Sequence, residues 1–309
     1  MRIIFMGTPE SAVPSLRRLV EDGHEIAAVW TQPDKPAGRG KKLHASAIKQ
    51  FALEKNLPVY QPAKIKNAEA KELFASHDAD VAVVVAYGKI LPPEFLEAPK
   101  LGCLNVHFSL LPKYRGAAPV NWAIVNGETE SGVTTMQIVA ELDAGPVLLQ
   151  QATPIGENET APQMLARLAE AGAELISETL KNLDHLEPRP QIDAEATFAP
   201  ILKREDGLID WSLDAFAIAN RIRGLQPWPN AFTTFDSQRL ILWRAEAGAN
   251  EQETRAGTVL DTSGEKLAIA CGQHTQLIVH ELQPEGARRM SARDFFNGRR
   301  VEPGAIVGG

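Results

Sequence analysis

The amino-acid sequence predicts an α/β protein of two domains. A Rossmann-like, mostly parallel sheet is expected over residues 1–188, then a linker over 189–206 and a smaller C-terminal β-barrel of OB-like type over 207–309. Three observations carry this expectation. Short β-branched runs alternate with helical apolar patterns through the first half, as in sheets whose strands are joined by crossover helices. The stretch LEPRPQIDAEATFAPILKRED holds Pro188, Pro190 and Pro200 with little periodicity and reads as an extended linker. Beyond it, short apolar runs separated by polar turns recur at the spacing of a small barrel. A chain of 309 residues accommodates two domains at roughly 100 to 200 residues each.

In order, RIIFMG is the first strand. Thr8 is placed to cap the helix that follows, with Pro9 at its first position and Ala12, Val13, Leu16, Leu19 and Val20 on one apolar face. HEIAAVWT, VAVVVAY and CLNVH are largely apolar, as strands covered on both faces are, and belong at the centre of the sheet. GVTTMQIV and PVLLQQATPI flank the turn ELDAGP and predict a hairpin at the sheet edge. Thr160 and Gln163 have capping-box spacing ahead of a long helix carrying Met164, Leu168, Leu175, Ile176, Leu180 and Leu183. In the second domain DWSLDAFAIANRIRG predicts one helix, and AFTTF, RLILWRA, AGTVL, KLAIACG and TQLIVHEL predict strands.

Composition narrows the class. Hydrophobic residues at 44% and charged residues at 23% suit a chain that buries a substantial core rather than a disordered one. No apolar run is long enough to span a bilayer and the N-terminus lacks a cleavage-site pattern, so a cytoplasmic protein without membrane association is expected. Cys103 and Cys271 are far apart and without C-x-x-C spacing, so neither a disulfide framework nor a metal site is expected. A net charge of −7 disfavours a protein coated all over by nucleic acid and leaves room for local basic patches.

The chemistry concentrates at the end of one strand, in LNVHFSLLPKYRG. Side chains alternate along a strand, so Asn105 and His107 share a face about 6.6 Å apart, at about 3.3 Å per residue. Pro112 and the residues before it end the strand, and open α/β sheets bind ligands beyond the carboxyl ends of their strands. Asp143 lies in the turn LDAGP, where Gly145 and Pro146 allow a tight reversal, so a carboxylate can be presented at the same edge. Acyl transfer to an amine develops an oxyanion that an Asn N–H and an imidazolium both stabilise, while a carboxylate orients the histidine. A lone histidine in this place is more often a satisfied structural residue; three matching groups followed by SLLP favour a site. Ser109, His107 and Asp143 also have the residue types of a nucleophilic triad. Against that reading, there is no G-x-S-x-G elbow, and a serine two residues from its base has to fold back to meet it. The opening FMGTPESA has neither G-x-G-x-x-G nor G-x-x-x-x-G-K-[ST], so nicotinamide or nucleotide-phosphate binding gains little support and Gly7 reads as a turn glycine.

NVHFSLLPKYRGAAPVNWAI, GVTTMQI and LDAGPVL resemble the folate-dependent formyltransferases. RIIFMGTPESA, TQPDKPAGRGKKL, VVAYGKILP, IDWS, IRGLQPWP and MSARDFFNGRR extend the resemblance over essentially the whole chain, toward members acting on charged initiator tRNA. The resemblance implies formyl transfer from 10-formyltetrahydrofolate, a cosubstrate, to the amino group of methionyl-initiator tRNA; no metal and a monomeric protein are expected. It implies Asn105, His107 and Asp143 as catalytic residues and Ser109, Leu110, Leu111 and Pro112 as the tetrahydrofolate signature. It also implies that the Tyr87–Pro92 stretch, with Tyr87, Gly88, Ile90 and Leu91, lines the pteridine pocket through backbone groups.

Two basic regions complete the reading. Residues 34–49 carry Lys35, Arg39, Lys41, Lys42 and Lys49 against one acid, Asp34, amid glycines and prolines. A solvated loop is the ordinary reading, but the segment is long and glycine-rich for a connection, which points to function; with the resemblance, tRNA binding through Arg39, Lys41, Lys42 and Leu43 is expected. Arg288, Arg289, Arg293, Arg299 and Arg300 cluster near the C-terminus, where phosphate contact is the expected use. A formyltransferase for a nucleotide sugar or glycinamide ribonucleotide shares NxHxSLLP and the aspartate, yet needs neither GRGKKL nor this second domain. A non-catalytic descendant predicts loss of one of the three site groups, and all three are present.

Overall fold

The computed structural model describes residues 1–37, 42–262, 266–299 and 301–308. The chain divides into two compact units: Met1–Pro119, Glu130–Pro154 and Leu165–Ala199 form the first, and Val120–Thr129, Ile155–Met164 and Pro200–Gly309 form the second.

The elements begin β1 (Arg2–Gly7), α1 (Val13–Glu21), β2 (Glu25–Trp30), β3 (Lys35–Ala37), β4 (Lys42–His44), α2 (Ala47–Glu54), β5 (Val59–Tyr60), α3 (Ala68–Ala75) and β6 (Val81–Val85). They continue α4 (Pro93–Glu97), β7 (Cys103–His107), β8 (Arg115–Gly116), α5 (Pro119–Val125), β9 (Glu130–Gln137), β10 (Val147–Pro154), α6 (Ala161–Lys181) and β11 (Phe198–Ala199). Seven strands form the sheet of the first unit, in the order β10-β9-β7-β6-β1-β2-β5. The pairs from β7 through β5 are parallel, and β9 is antiparallel to both β7 and β10, so the predicted hairpin does sit at the edge. Every residue of β6 is buried, which is why its valine run shows no alternation. On one face α6 lies close over β7: a Cβ at Gly172 would stand 2.8 Å from Val106 Cγ1. On the other face Trp30, Phe74, Phe95 and Tyr87 form an apolar cluster that includes Cys103.

Thr8 does not cap a helix. Its hydroxyl donates to the Tyr87 carbonyl at 3.2 Å and accepts from Gln32 N–H at 3.4 Å, while Gln32 Nε2 donates to the same carbonyl at 3.0 Å. The chain instead enters α1 through a 3-10 turn over Glu10–Ala12 with no side-chain cap. The reason is tertiary: β1 and β6 are neighbours, and the carbonyl leaving β6 needs donors more than the helix entry needs an acceptor.

His77 sits in the same cluster, its Nε2 accepting from Trp30 Nε1 at 3.2 Å. Burial, and secondarily the Arg2 charge, hold its pKa below the usual value of 6.5. Above that value the ring is neutral in both folded and unfolded chains; below it the unfolded chain takes up a proton that the folded one resists. Urea midpoints are therefore expected to drop between pH 7.5 and 5.5, and to drop less in His77→Gln, whose carbonyl still accepts from Trp30. Equal drops in both proteins would exclude His77 as a source.

The second unit carries α7 (Ala215–Gly224), β12 (Phe232–Phe235), β13 (Gln238–Ala249), β14 (Val259–Asp261), β15 (Leu267–Cys271), β16 (Thr275–Pro284), β17 (Met290–Ser291) and α8 (Ala292–Gly298). The predicted helix starts later than expected, because Asp214 rather than Asp210 caps it, accepting from Ala217 N–H at 2.8 Å. Asp210 closes a turn with Ser212, which sends Trp211 into the core to donate to Thr233 Oγ1 at 3.0 Å. The sheet is antiparallel, in the order β12-β13-β16-β15-β14, with β17 on β16. Among the described residues it is not a closed barrel, since no pairing joins β12 to β14. The last residues lie between those edges: Val259 N–H donates to Ala305 and Val307 N–H to Gly257, while Gly308 N–H donates to Thr234 of β12 at 2.9 Å. Three residues of β14 are too few to reach round, and the tail takes the place of strand pairing. Among the described residues no helix is long and apolar enough to cross a membrane.

Candidate active site

Strand β7 presents Asn105 and His107 on the face it shares with Cys103. Asn105 lies opposite Val84 of β6 and Met136 of β9, and His107 lies opposite Thr134. His107 is buried, with Nε2 2.9 Å from the carbonyl of Tyr114. A carbonyl only accepts, so Nε2 carries the proton and Nδ1 is left as the ring's other functional nitrogen. Nδ1 faces Asp143 Oδ2 at 3.8 Å, too far for a hydrogen bond and close enough for strong attraction once the ring is charged.

Asp143 is held in a left-handed conformation, φ 51°, which a short polar residue tolerates. Its Oδ2 accepts from Gly116 N–H at 2.8 Å, an anchor that turns the carboxylate toward the histidine. Asn105 is half-buried, and among the described residues its side-chain amide has no hydrogen-bond partner. The structure thus brings His107 and Asp143 together and leaves Asn105 two residues away along the same face, with its donors uncommitted.

Residues 109–112 turn away from β7 in a tightly bonded loop. The Ser109 hydroxyl donates to the Lys113 carbonyl at 2.6 Å. Thr134 Oγ1 donates to Ser109 O at 2.6 Å and accepts from Leu111 N–H at 3.2 Å, and Gln150 Nε2 donates to Leu111 O at 2.8 Å. Leu111 is buried with Met136 and Val147, whereas Leu110 and Pro112 are half-buried. Ser109 is fully buried and spends its proton on the turn, so it closes the loop rather than attacking anything. Ser109→Ala is expected to lower stability by about 1–2 kcal/mol while keeping more than about a tenth of the turnover. Abolished turnover with a trappable acyl-serine would restore the nucleophile.

The stretch after β6 forms a second wall. Tyr87 and Leu91 are buried, Gly88 takes φ 82°, and Ile90 is 69% exposed. Tyr87 Oη is buried with no partner among the described residues, and burial pushes the phenol up to about 12. Lys89 is turned outward, its ammonium donating to the Pro62 and Ala63 carbonyls at 2.8 and 3.0 Å.

Of the expected basic loop, Arg39 and Lys41 lie outside the described residues. Around them the chain is a hairpin: β3 and β4 pair antiparallel, Lys42 opposite Ala37 and Leu43 opposite Pro36. Leu43 is 70% exposed. Asp34 is engaged by Lys49 Nζ and Gln61 Nε2, each at 2.7 Å. In the second unit Arg289 donates to Glu281 at 2.6 Å and lies over the Trp243 ring at 5.0 Å, and Arg244 shares Glu281 at 3.1 Å. Arg244, Glu281 and Arg289, with His280, Met290 and Ser291, line a cleft of about 280 Å³. Arg299 donates to Gln238 at 2.6 Å, Arg288 and Arg293 are exposed, and Arg300 lies outside the described residues.

Sequence reasoning missed the backbone groups of Tyr114 and Gly116 that hold His107 and Asp143, along with Thr134, Gln150 and Gln191. Nothing in the residue types at 114 marks a carbonyl acceptor. Gly116, at φ 125° and with no room for a Cβ, is the one local signal that the chain there is pressed against something.

Comparison with known proteins adds independent findings. The family model described as formyl transferase matches residues 1–180, and that of the formyl transferase C-terminal domain matches residues 201–300. A methionyl-tRNA formyltransferase from Caldanaerobacter subterraneus subsp. tengcongensis is 48% identical over 99% of this chain and 100% of its own. One from Citrifermentans bemidjiense is 46% identical over 100% of this chain and 96% of its own. Among solved structures, WlaRD, a sugar 3N-formyl transferase crystallised in the presence of dTDP and 5-N-formyl-THF, superposes with a TM-score of 0.68. It is 20% identical, with 93% of this chain and 99% of that chain covered, a likeness of fold.

Proposed function

Because the chain belongs to the formyl transferase family, and within it to the methionyl-tRNA formyltransferases, we propose that it moves the formyl group of 10-formyltetrahydrofolate onto the free amino group of methionyl-initiator tRNA. The product, N-formylmethionyl-tRNA, is the one used to begin translation, and we place the reaction in the cytoplasm with a monomeric enzyme. The observation that carries the site assignment is the His107–Asp143 pair beside an Asn105 whose amide is uncommitted.

The folate supplies an activated formyl carbon; a C–N bond to the methionyl nitrogen forms and the bond to the folate nitrogen breaks. Asn105 offers its side-chain N–H to the formyl oxygen as that oxygen gains charge. His107 Nδ1 takes the proton that the attacking amine must lose, and the resulting imidazolium is stabilised by Asp143, itself held by Gly116 N–H. The same nitrogen then protonates the departing amine, so the cycle closes without a covalent enzyme adduct.

Supporting a folate site at Tyr87, Gly88, Ile90 and Leu91, and at Ser109 through Pro112, are the apolar wall, the left-handed backbone at Gly88 and the exposed Ile90. For tRNA we assign Arg39, Lys41, Lys42 and Leu43, supported by an exposed apolar Leu43 in a basic hairpin. The second unit adds Arg244 and Arg289 at their cleft. Replacing Arg39 and Lys42 together by alanine is expected to lower the slope of log affinity against log salt by about 0.7–0.9 for each phosphate no longer neutralised. Bound initiator tRNA is also expected to protect this segment from trypsin, and an unchanged slope without protection would leave it a solvated connection. The decisive test is incubation with charged initiator tRNA and 10-formyltetrahydrofolate, with formylmethionine as the product sought. Formylation of an amino-sugar nucleotide in its place would overturn the substrate assignment.

A further inference from the structure

We propose that Gln191 and Thr197, in the segment between the two stretches matched by family models, are positioning residues that hold the His107–Asp143 pair in register. The inference rests on the reading of that pair as the reacting groups. Both are gripped by one short strap: the Tyr114 carbonyl holds His107 Nε2 at 2.9 Å, and Gly116 N–H holds Asp143 Oδ2 at 2.8 Å. The strap runs from Tyr114 through β8, which is not part of the main sheet; the strand partner of β8 is β11, in parallel register.

Thr197 fastens the strap from both sides. Its Oγ1 accepts from Tyr114 N–H at 2.9 Å, and its carbonyl accepts from Arg115 N–H at 2.9 Å. The approach is so close that a Cβ at Gly116 would stand 2.5 Å from the Ala199 carbonyl oxygen. Gln191 fastens the other partner. Its Nε2 donates to the carbonyls of Asp143 and Gly145, both at 2.8 Å, and its Oε1 accepts from Arg115 Nε at 3.0 Å. One amide therefore ties the aspartate turn to the strap. With Nδ1 and Oδ2 already 3.8 Å apart, a small shift of either clamp separates the pair.

Thr197 is exposed, so its variants are expected to fold. Thr197→Val keeps the shape and removes the acceptor, and Thr197→Ser restores it. The valine variant is expected to lower kcat about ten- to thirtyfold with KM for tRNA and folate unchanged, and serine to recover most of it. Gln191→Met is expected to act likewise. In a double-mutant cycle the valine effect persists in an Asn105→Ala background and vanishes in His107→Ala, because it acts through the histidine. In the ligand-free protein the His107 ring nitrogen resonances are expected to move in Thr197→Val and return in Thr197→Ser. Ring resonances unmoved by Thr197→Val overturn the brace whatever the activity of His107→Ala. A wild-type kcat for Thr197→Val, or an equal loss in both backgrounds, overturns it too. Full activity of His107→Ala instead overturns the assignment of the pair, a separate failure.

Discussion

His107→Ala and Asp143→Ala are each expected to slow formyl transfer by about two to four orders of magnitude, with Asn105→Ala in the same range, because each removes a donor, a proton carrier or its counter-charge. The structure separates their contributions. Loss of the imidazole removes the nitrogen that faces the carboxylate and frees the Tyr114 carbonyl, while loss of the carboxylate leaves Gly116 N–H without its acceptor. Loss of the Asn105 amide frees no described partner, so its variant is expected to be the most normally folded of the three. Single-turnover rates beside urea midpoints make the test, and near-normal rates for the Asn105 or His107 variant would sink the assignment.

Gly145→Ala is expected to damage both fold and chemistry. A Cβ at this position would lie 1.8 Å from the carbonyl oxygen of Gln137 and 2.9 Å from its carbon, backbone atoms with no freedom to retreat. Gln137 N–H in turn donates to the Pro146 carbonyl at 3.0 Å, so the added methyl pushes apart the mouth of the edge hairpin that carries Asp143. A loss of about 2–4 kcal/mol is expected, with turnover at least about a hundredfold lower from displacement of the carboxylate. Gly298→Ala is the control: nothing lies within 4 Å of the place its methyl would take, and its stability is expected to stay within about 0.5 kcal/mol of wild type. If the two variants unfold alike, the steric argument fails.

Much of the candidate site's geometry was legible because its signals are local. Strand alternation is enough to place Asn105 and His107 on one face, and the glycine and proline after Asp143 are enough to announce a tight turn. The β-branched runs found their strands, and the hairpin its edge, for the same reason: periodicity reports which side of the chain is buried. The Thr8 signal was equally local and misled, since a hydroxyl with a cap's spacing met a stronger demand from the Tyr87 carbonyl on a neighbouring strand. In the second unit the strands were legible and their closure was not, because it depends on a tail near residue 308 reaching β12 through a backbone bond from Gly308 N–H to Thr234.

By itself, then, the sequence determined which family the chain belongs to, which residues are the candidates for its chemistry and which face of β7 Asn105 and His107 occupy. Only the tertiary structure decided how they are held. The strap at Tyr114 to Gly116 lies far from Asp143, Gln191 and Thr197 in the chain, and it grips His107 and Asp143 through a backbone carbonyl and a backbone N–H. Every residue but proline carries both of these groups, so no side-chain pattern can encode their pairing, and only the folded geometry selects it.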